Sequence, residues 1–94
     1  DYKLHTYLKA IVMGCFVTYY SKFANTTISR ADLIELLHTR EGYTEKSCGS
    51  RTSKARAIIS AGASEEALRL IIASNRVNDD LRDEARKLLM KIFP

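Results

Sequence analysis

Ile28-Ser29-Arg30-Ala31-Asp32-Leu33-Ile34-Glu35-Leu36-Leu37 reads as the opening of a helix, and this stretch decides the fold class. Ser29 stands at the N-cap with Asp32 three residues later, an arrangement like a capping box. Ile28 and Leu33 occupy the positions of a hydrophobic staple across that cap. Leu33, Ile34, Leu36 and Leu37 form the apolar side, and the helix is expected to run to about Arg40. Gly42 is placed to end it in the left-handed conformation that only glycine adopts without cost.

The same helical period extends in both directions from this segment. Upstream, Leu4, Leu8, Ile11, Cys15 and Tyr19 recur every three or four residues, and Val12, Phe16 and Phe23 widen the stripe. A first helix over Tyr2 to Phe23 is predicted, apolar over much of its circumference and therefore central, either in the core or in a dimer interface. Ala24 to Ile28 is a linker. Downstream, Tyr43 to Ser50 is polar, contains Gly49 and is expected to be a loop. A third helix then starts near Ser50 and ends before Gly62, with Ala55, Ile58 and Ile59 as its apolar stripe. Ser64 is expected to cap a fourth helix, with Glu65 and Glu66 complementing its positive end and Leu68, Ile71 and Ile72 buried. After a break at Asn75 to Val77, Asn78 caps a fifth helix carrying Leu81, Ala85, Leu88, Leu89 and Ile92. Asp83 and Lys87 stand one turn apart on its solvent side. Residues 65–72 and 83–90 look alike, but an offset of 18 residues is too short for the familiar helical-pair repeats.

The chain of 94 residues has the length of one domain. An apolar fraction of 46 % suffices for a packed core, and 28 % charge suits a solvated surface, which excludes a disordered chain. The chain begins with Asp1, as a piece cut from a longer protein would. The longest uncharged run, Ala10 to Ser21, has twelve residues, whereas a membrane span needs about 20. No membrane partner is expected. Cys15 and Cys48 form no CxxC pair and have no histidine at zinc spacing, so no metal or other cofactor is expected. Cys15 reads as a small core side chain and Cys48 as a loop residue. Their free thiols suit a reducing, intracellular compartment, although one disulfide between them stays open.

The net charge is +4 and the sequence pI about 9.2, which suits an anionic partner without requiring one. Where the charge sits matters more. From Lys46 to Ser64 there is no acidic residue in 19 positions, while Lys46, Arg51, Lys54 and Arg56 fall inside it. At about 100° per residue, Ala55, Ile58 and Ile59 face one way, and Ser53, Ala57 and Ser60 face the other, flanked by Lys54 and Arg56. Such a face is small in its middle and cationic at its edges. It can approach a groove closely while the cations neutralise phosphates. Ser50, Thr52 and Ser53 add hydroxyl donors near the helix start.

Residues Ile28–Leu37 and Ser50–Gly62 (SRTSKARAIISAG) together resemble the two helices of helix-turn-helix and winged-helix DNA-binding domains. The resemblance covers residues 28–62, about a third of the chain. It implies that Thr52, Ser53 and Arg56 face bases and that Arg51 and Lys54 hold phosphates, joined by Lys46. Two features depart from the pattern. The connection from His38 to Gly49 is a dozen residues where about 3–4 are usual, and no β-wing follows Gly62. The expected fold is an all-α, compact bundle of about five helices with a helix-turn-helix-like pair.

Catalysis has little to stand on. His5 and His38 are the only histidines. A Cys48–His38 pair lacks an orienting third group, and the acids at positions 65, 66, 79 and 80 are explained by helix capping. No enzyme activity and no small-molecule ligand are expected. Asn25-Thr26-Thr27 matches the glycosylation acceptor pattern, which matters only for a secreted chain. Tyr43 borders the basic segment and is placed either to stack on a base or to pack on the helix before it.

Two readings of function follow. The first is a non-catalytic domain that binds duplex DNA through its third helix, acting in transcription regulation. The second is a protein-interaction module or homodimer. There the first helix docks the partner through Tyr7, Phe16, Tyr19 and Tyr20, with Tyr2 on the same helix.

Overall fold

Capping chemistry and hydrophobic period place the helices where main-chain donors find partners. The computed structural model describes Leu4, Leu8 and residues 11–93. Asp1, Tyr2, His5, Tyr7 and Ala10, named above, lie outside the described residues. Among the described residues the regular structure is entirely helical, and six helices follow one another: α1 (Met13–Thr18), α2 (Tyr20–Ala24), α3 (Arg30–Glu41), α4 (Glu45–Ser60), α5 (Ser64–Ala73) and α6 (Asp79–Ile92).

The predicted first helix is interrupted twice. Leu4, Leu8 and Ile11 are helical, but Val12 takes φ 68° and breaks the run before α1. A β-branched residue in that region is strained, and only tertiary contacts make it hold. Tyr19 then separates α1 from α2, and its hydroxyl donates to Glu41 Oε2 at 2.5 Å, tying this corner to the end of α3.

The central capping expectations hold. Ser29 Oγ accepts from the Asp32 amide at 3.1 Å, and Gly42 ends α3 at φ 74°. Asn78 Oδ1 accepts from the Leu81 amide at 2.8 Å. The cap expected at Ser64 sits one residue earlier, at Ala63. Ser64 is instead buried and accepts the Tyr20 hydroxyl at 2.9 Å.

The largest correction concerns residues 43–50. Thr44 Oγ1 accepts from the Ser47 amide at 3.1 Å, so α4 starts at Glu45, a turn and a half before the expected start. Residues 45–50 of the expected loop are thus the first turn and a half of a 16-residue helix, and only Gly42, Tyr43 and Thr44 connect α3 to α4. Gly49 permits this, because α3 seats on it. A Cβ there would meet Arg30 Nη2 at 2.8 Å and Ile34 Cδ1 at 3.6 Å.

Helices α3 and α4 form the most extensively packed pair, and α5 and α6 the next. Helix α4 also packs on α2 and α5, and α6 on α1. Between them lie Leu8, Ile11, Phe16, Phe23, Leu33, Leu37, Ile58, Leu68 and Ile71, all at most 1 % exposed. Phe16 and Tyr20 meet edge to face at 5.5 Å.

Candidate nucleic-acid interface

Hydrophobic burial fixes how α4 rotates, and that rotation distributes its polar residues. Cys48, Thr52, Ala55 and Ile58, one turn apart, are each 0 % exposed and face the core. Thr52, expected at a base, is therefore inside. Among the described residues its hydroxyl has no hydrogen-bond partner. Cys48 is likewise a core residue and not a loop thiol. Burial pushes its thiol up from the ordinary range, Arg51 opposing the effect. His38 Nδ1 donates to the Tyr43 carbonyl at 2.6 Å, and Cys48 Sγ donates to the same carbonyl at 3.7 Å. The two residues thus share a structural acceptor. Cys15 and Cys48 are both free thiols.

The two arginines of α4 flank this buried stripe and reach back to main-chain carbonyls. Arg51 Nη1 donates to the Ile11 carbonyl at 2.5 Å, its Nε donates to Ser47 Oγ at 3.0 Å, and its guanidinium lies 3.8 Å from the Tyr43 ring centroid. It thereby holds the residue just before the strained Val12, and Tyr43 packs under a cation. Arg56 Nε donates to the Phe23 carbonyl at 3.2 Å. Its Nη2 donates to the carbonyls of Asn25 at 3.0 Å and Ile28 at 2.5 Å. Two of the four cations expected to meet nucleic acid, Arg51 and Arg56, are thus engaged with the chain itself. Arg56 binds the 25–28 linker to α4.

What α4 presents outward is Lys46 and Ser53, both exposed, with Ser50 and Lys54 partly exposed beside them. Lys54 Nζ donates to Ser50 Oγ at 2.9 Å. Arg30, from the first turn of α3, is exposed and its Nε donates to Ser53 Oγ at 3.0 Å. Arg30 was not among the sequence candidates. Its signal was its place at the first helical position after the Ser29 cap, next to whatever packs on that turn. The outward patch is Arg30, Lys46, Ser50, Ser53 and Lys54, with Glu45 at the mouth of the helix as an acidic neighbour.

The aromatic docking surface expected on the first helix faces inward: Phe16, Tyr19 and Tyr20 are buried. The exposed large apolar residues are instead Val12 (50 %), Leu70 (38 %), Met90 (72 %) and Phe93 (40 %). Val12 and Leu70 line an open groove of about 700 Å³ together with Met13, Val77, Leu81 and Arg76. Among the described residues, no helix is long and apolar enough to cross a membrane. Comparison with protein-family models, with curated proteins and with solved structures finds no match to this chain.

Proposed function

We propose that this chain is a non-catalytic DNA-binding domain that lays the outer face of α4 against duplex DNA. The observation that carries the reading is the three-residue connection Gly42–Thr44 between two tightly packed helices. A turn of about 3–4 residues, often containing glycine, is what joins the helices of DNA-binding helix-turn-helix motifs. The N-terminal half of α4 is then the part that would enter the groove, and it carries hydroxyls beside cations. Ser50 and Ser53 would reach bases or phosphates, while Arg30, Lys46 and Lys54 would contact the backbone. The Arg30 guanidinium has five N–H donors and gives one to Ser53, which leaves others for a phosphate. Arg51, Thr52 and Arg56 act in this reading as the frame of the helix.

Fluorescence anisotropy with generic duplex DNA across a salt series tests the reading. Three phosphate contacts give a log–log salt slope of about −2 to −3. A Lys46→Glu, Ser53→Glu double variant, checked for folding by circular dichroism, is expected to weaken binding at least about tenfold. No binding by the native chain at low salt, or equal binding by the variant, overturns the assignment. The second reading, docking of a protein, is favoured by one observation, the apolar groove beside Val12 and Leu70.

A further inference from the structure

Helix α6 is strongly amphipathic, yet of its residues only Ala85 is fully buried. Its charges fall into two groups. Asp79 pairs with Arg82 at 2.8 Å and Asp83 with Arg86 at 3.1 Å, each within the helix. Asp80, Glu84, Lys87 and Lys91 are all exposed and, among the described residues, none of these four takes part in an ion pair or side-chain hydrogen bond.

Those four residues lie together. At about 100° per residue they fall within an arc of about 60°, as one stripe along the helix. The stripe has both acids in its first half and both bases in its second. It is also symmetric, since the point midway between Ala85 and Arg86 is equidistant from Asp80 and Lys91 and from Glu84 and Lys87. Beside it runs a shallow cleft of about 330 Å³ between α6 and α1, with Val17 and Leu88 as its apolar members. Glu84, Lys87 and Lys91 form its charged edge.

We propose that this face of α6 docks a second copy of the chain, with the two α6 helices antiparallel about a twofold axis through that midpoint. A twofold contact must be self-complementary, and this stripe is. The axis sets Asp80 against Lys91 of the second copy and Glu84 against Lys87 of the second copy, and each pair occurs twice. Reversing the second helix to parallel would set acid against acid and base against base, so the charges also fix the orientation. Leu88, partly exposed in the cleft over the buried Val17, supplies apolar surface that leaves water on association. A contact of one helix per copy, rich in charge, makes a weak dimer with a Kd on the order of micromolar or above, loosened by salt. The surface shares no residue with α4, so the proposal stands apart from the DNA reading.

Sedimentation equilibrium of the 94-residue chain at low salt, from about 1 µM to about 1 mM, tests it directly. The native chain is expected to dimerise reversibly and to dissociate as salt rises. An Asp80→Lys, Glu84→Lys variant and a Lys87→Glu, Lys91→Glu variant should each raise the Kd at least about tenfold. Mixed together, they should form a heterodimer. All four substitutions in one chain should restore the homodimer. Should a charge reversal upset folding by circular dichroism, Glu84→Gln with Lys87→Gln gives a milder form with a smaller expected loss of a few fold. A native chain that stays monomeric throughout, single-sign variants that dimerise as the native chain does, or a mixture that fails to associate would each overturn the proposal.

Discussion

Replacing Arg56 separates a structural guanidinium from a phosphate-binding one. In the structure Arg56 donates three hydrogen bonds to the carbonyls of Phe23, Asn25 and Ile28 and so fixes the linker between α2 and α3. A hydrogen bond from a charged donor contributes about 1.5–3 kcal/mol. The three share one side chain, and the exposed linker lets water take over part of the loss, so they do not add. Arg56→Ala should therefore cost about 2–4 kcal/mol. Arg56→Lys is the informative variant. It keeps the charge, but its single ammonium cannot span three carbonyls as the planar guanidinium does, and the expected cost is about 1–3 kcal/mol. Urea unfolding followed by far-ultraviolet circular dichroism measures both. If Arg56 served mainly to hold a phosphate, lysine would replace it with little change in stability. Both variants lying within about 0.5 kcal/mol of the native chain would refute the clamp.

Thr52→Val removes a buried hydroxyl that has no partner among the described residues while keeping the shape, and should stabilise the fold by about 1 kcal/mol without weakening the proposed DNA binding. A loss of stability in the same unfolding assay would contradict the placement of Thr52. Val12→Gly relieves a strained φ at a half-exposed position that buries little, so the relief of about 1–3 kcal/mol should exceed glycine's entropic cost and raise the thermal midpoint. A lowered midpoint would argue against the strain. Burial, and then the hydrogen bond to the Glu41 carboxylate and its charge, push the Tyr19 hydroxyl up to about 12. Its contribution is complete below pH ~10 and is lost as pH rises from about 10 to 12, because the unfolded chain releases that proton first. Stability of the native chain should fall faster over that window than stability of Tyr19→Phe. Parallel curves would show that the bond contributes nothing.

Local chemistry was legible where a side chain closes its own turn. The Ser29 and Asn78 caps and the Gly42 terminus were readable because each acts within three or four residues. The start of α4 was written in the same language, Thr44 with Ser47, but the polar run and Gly49 imitate a loop. Gly49 serves tertiary packing, the approach of Arg30, and nothing within its own neighbourhood announces that. The break at Val12 was not legible at all. Nothing in a valine signals a left-handed φ, and Arg51, which holds the carbonyl just before it, lies 40 residues away. The basic segment was found as a segment, yet sequence could not divide its cations. Lys46 faces solvent and Arg56 faces a linker because burial of Cys48, Thr52, Ala55 and Ile58 fixes the rotation of α4. The wheel pointed correctly at Ala55, Ile58 and Ser53, but Arg56 curls back from the edge of the outer face to the linker.

Arg82 repeats the pattern of Arg56 at the other end of the molecule, donating to the carbonyls of Ile72 at 2.9 Å, Ser74 at 2.8 Å and Val77 at 3.4 Å. A carbonyl belongs to every residue alike. A turn held through its carbonyls is therefore indifferent to which side chains it carries, provided the backbone keeps its path. Within the segments around residues 25–28 and 74–77, the positions that neither close a turn, as Asn25 and Ser74 do, nor pack on the core, as Ile28 and Val77 do, should accept wide changes of spelling. Beyond the short turns closed by Asn25 and Ser74, the tie of those joints to the rest of the fold runs through two guanidinium groups, each of which lysine cannot replace.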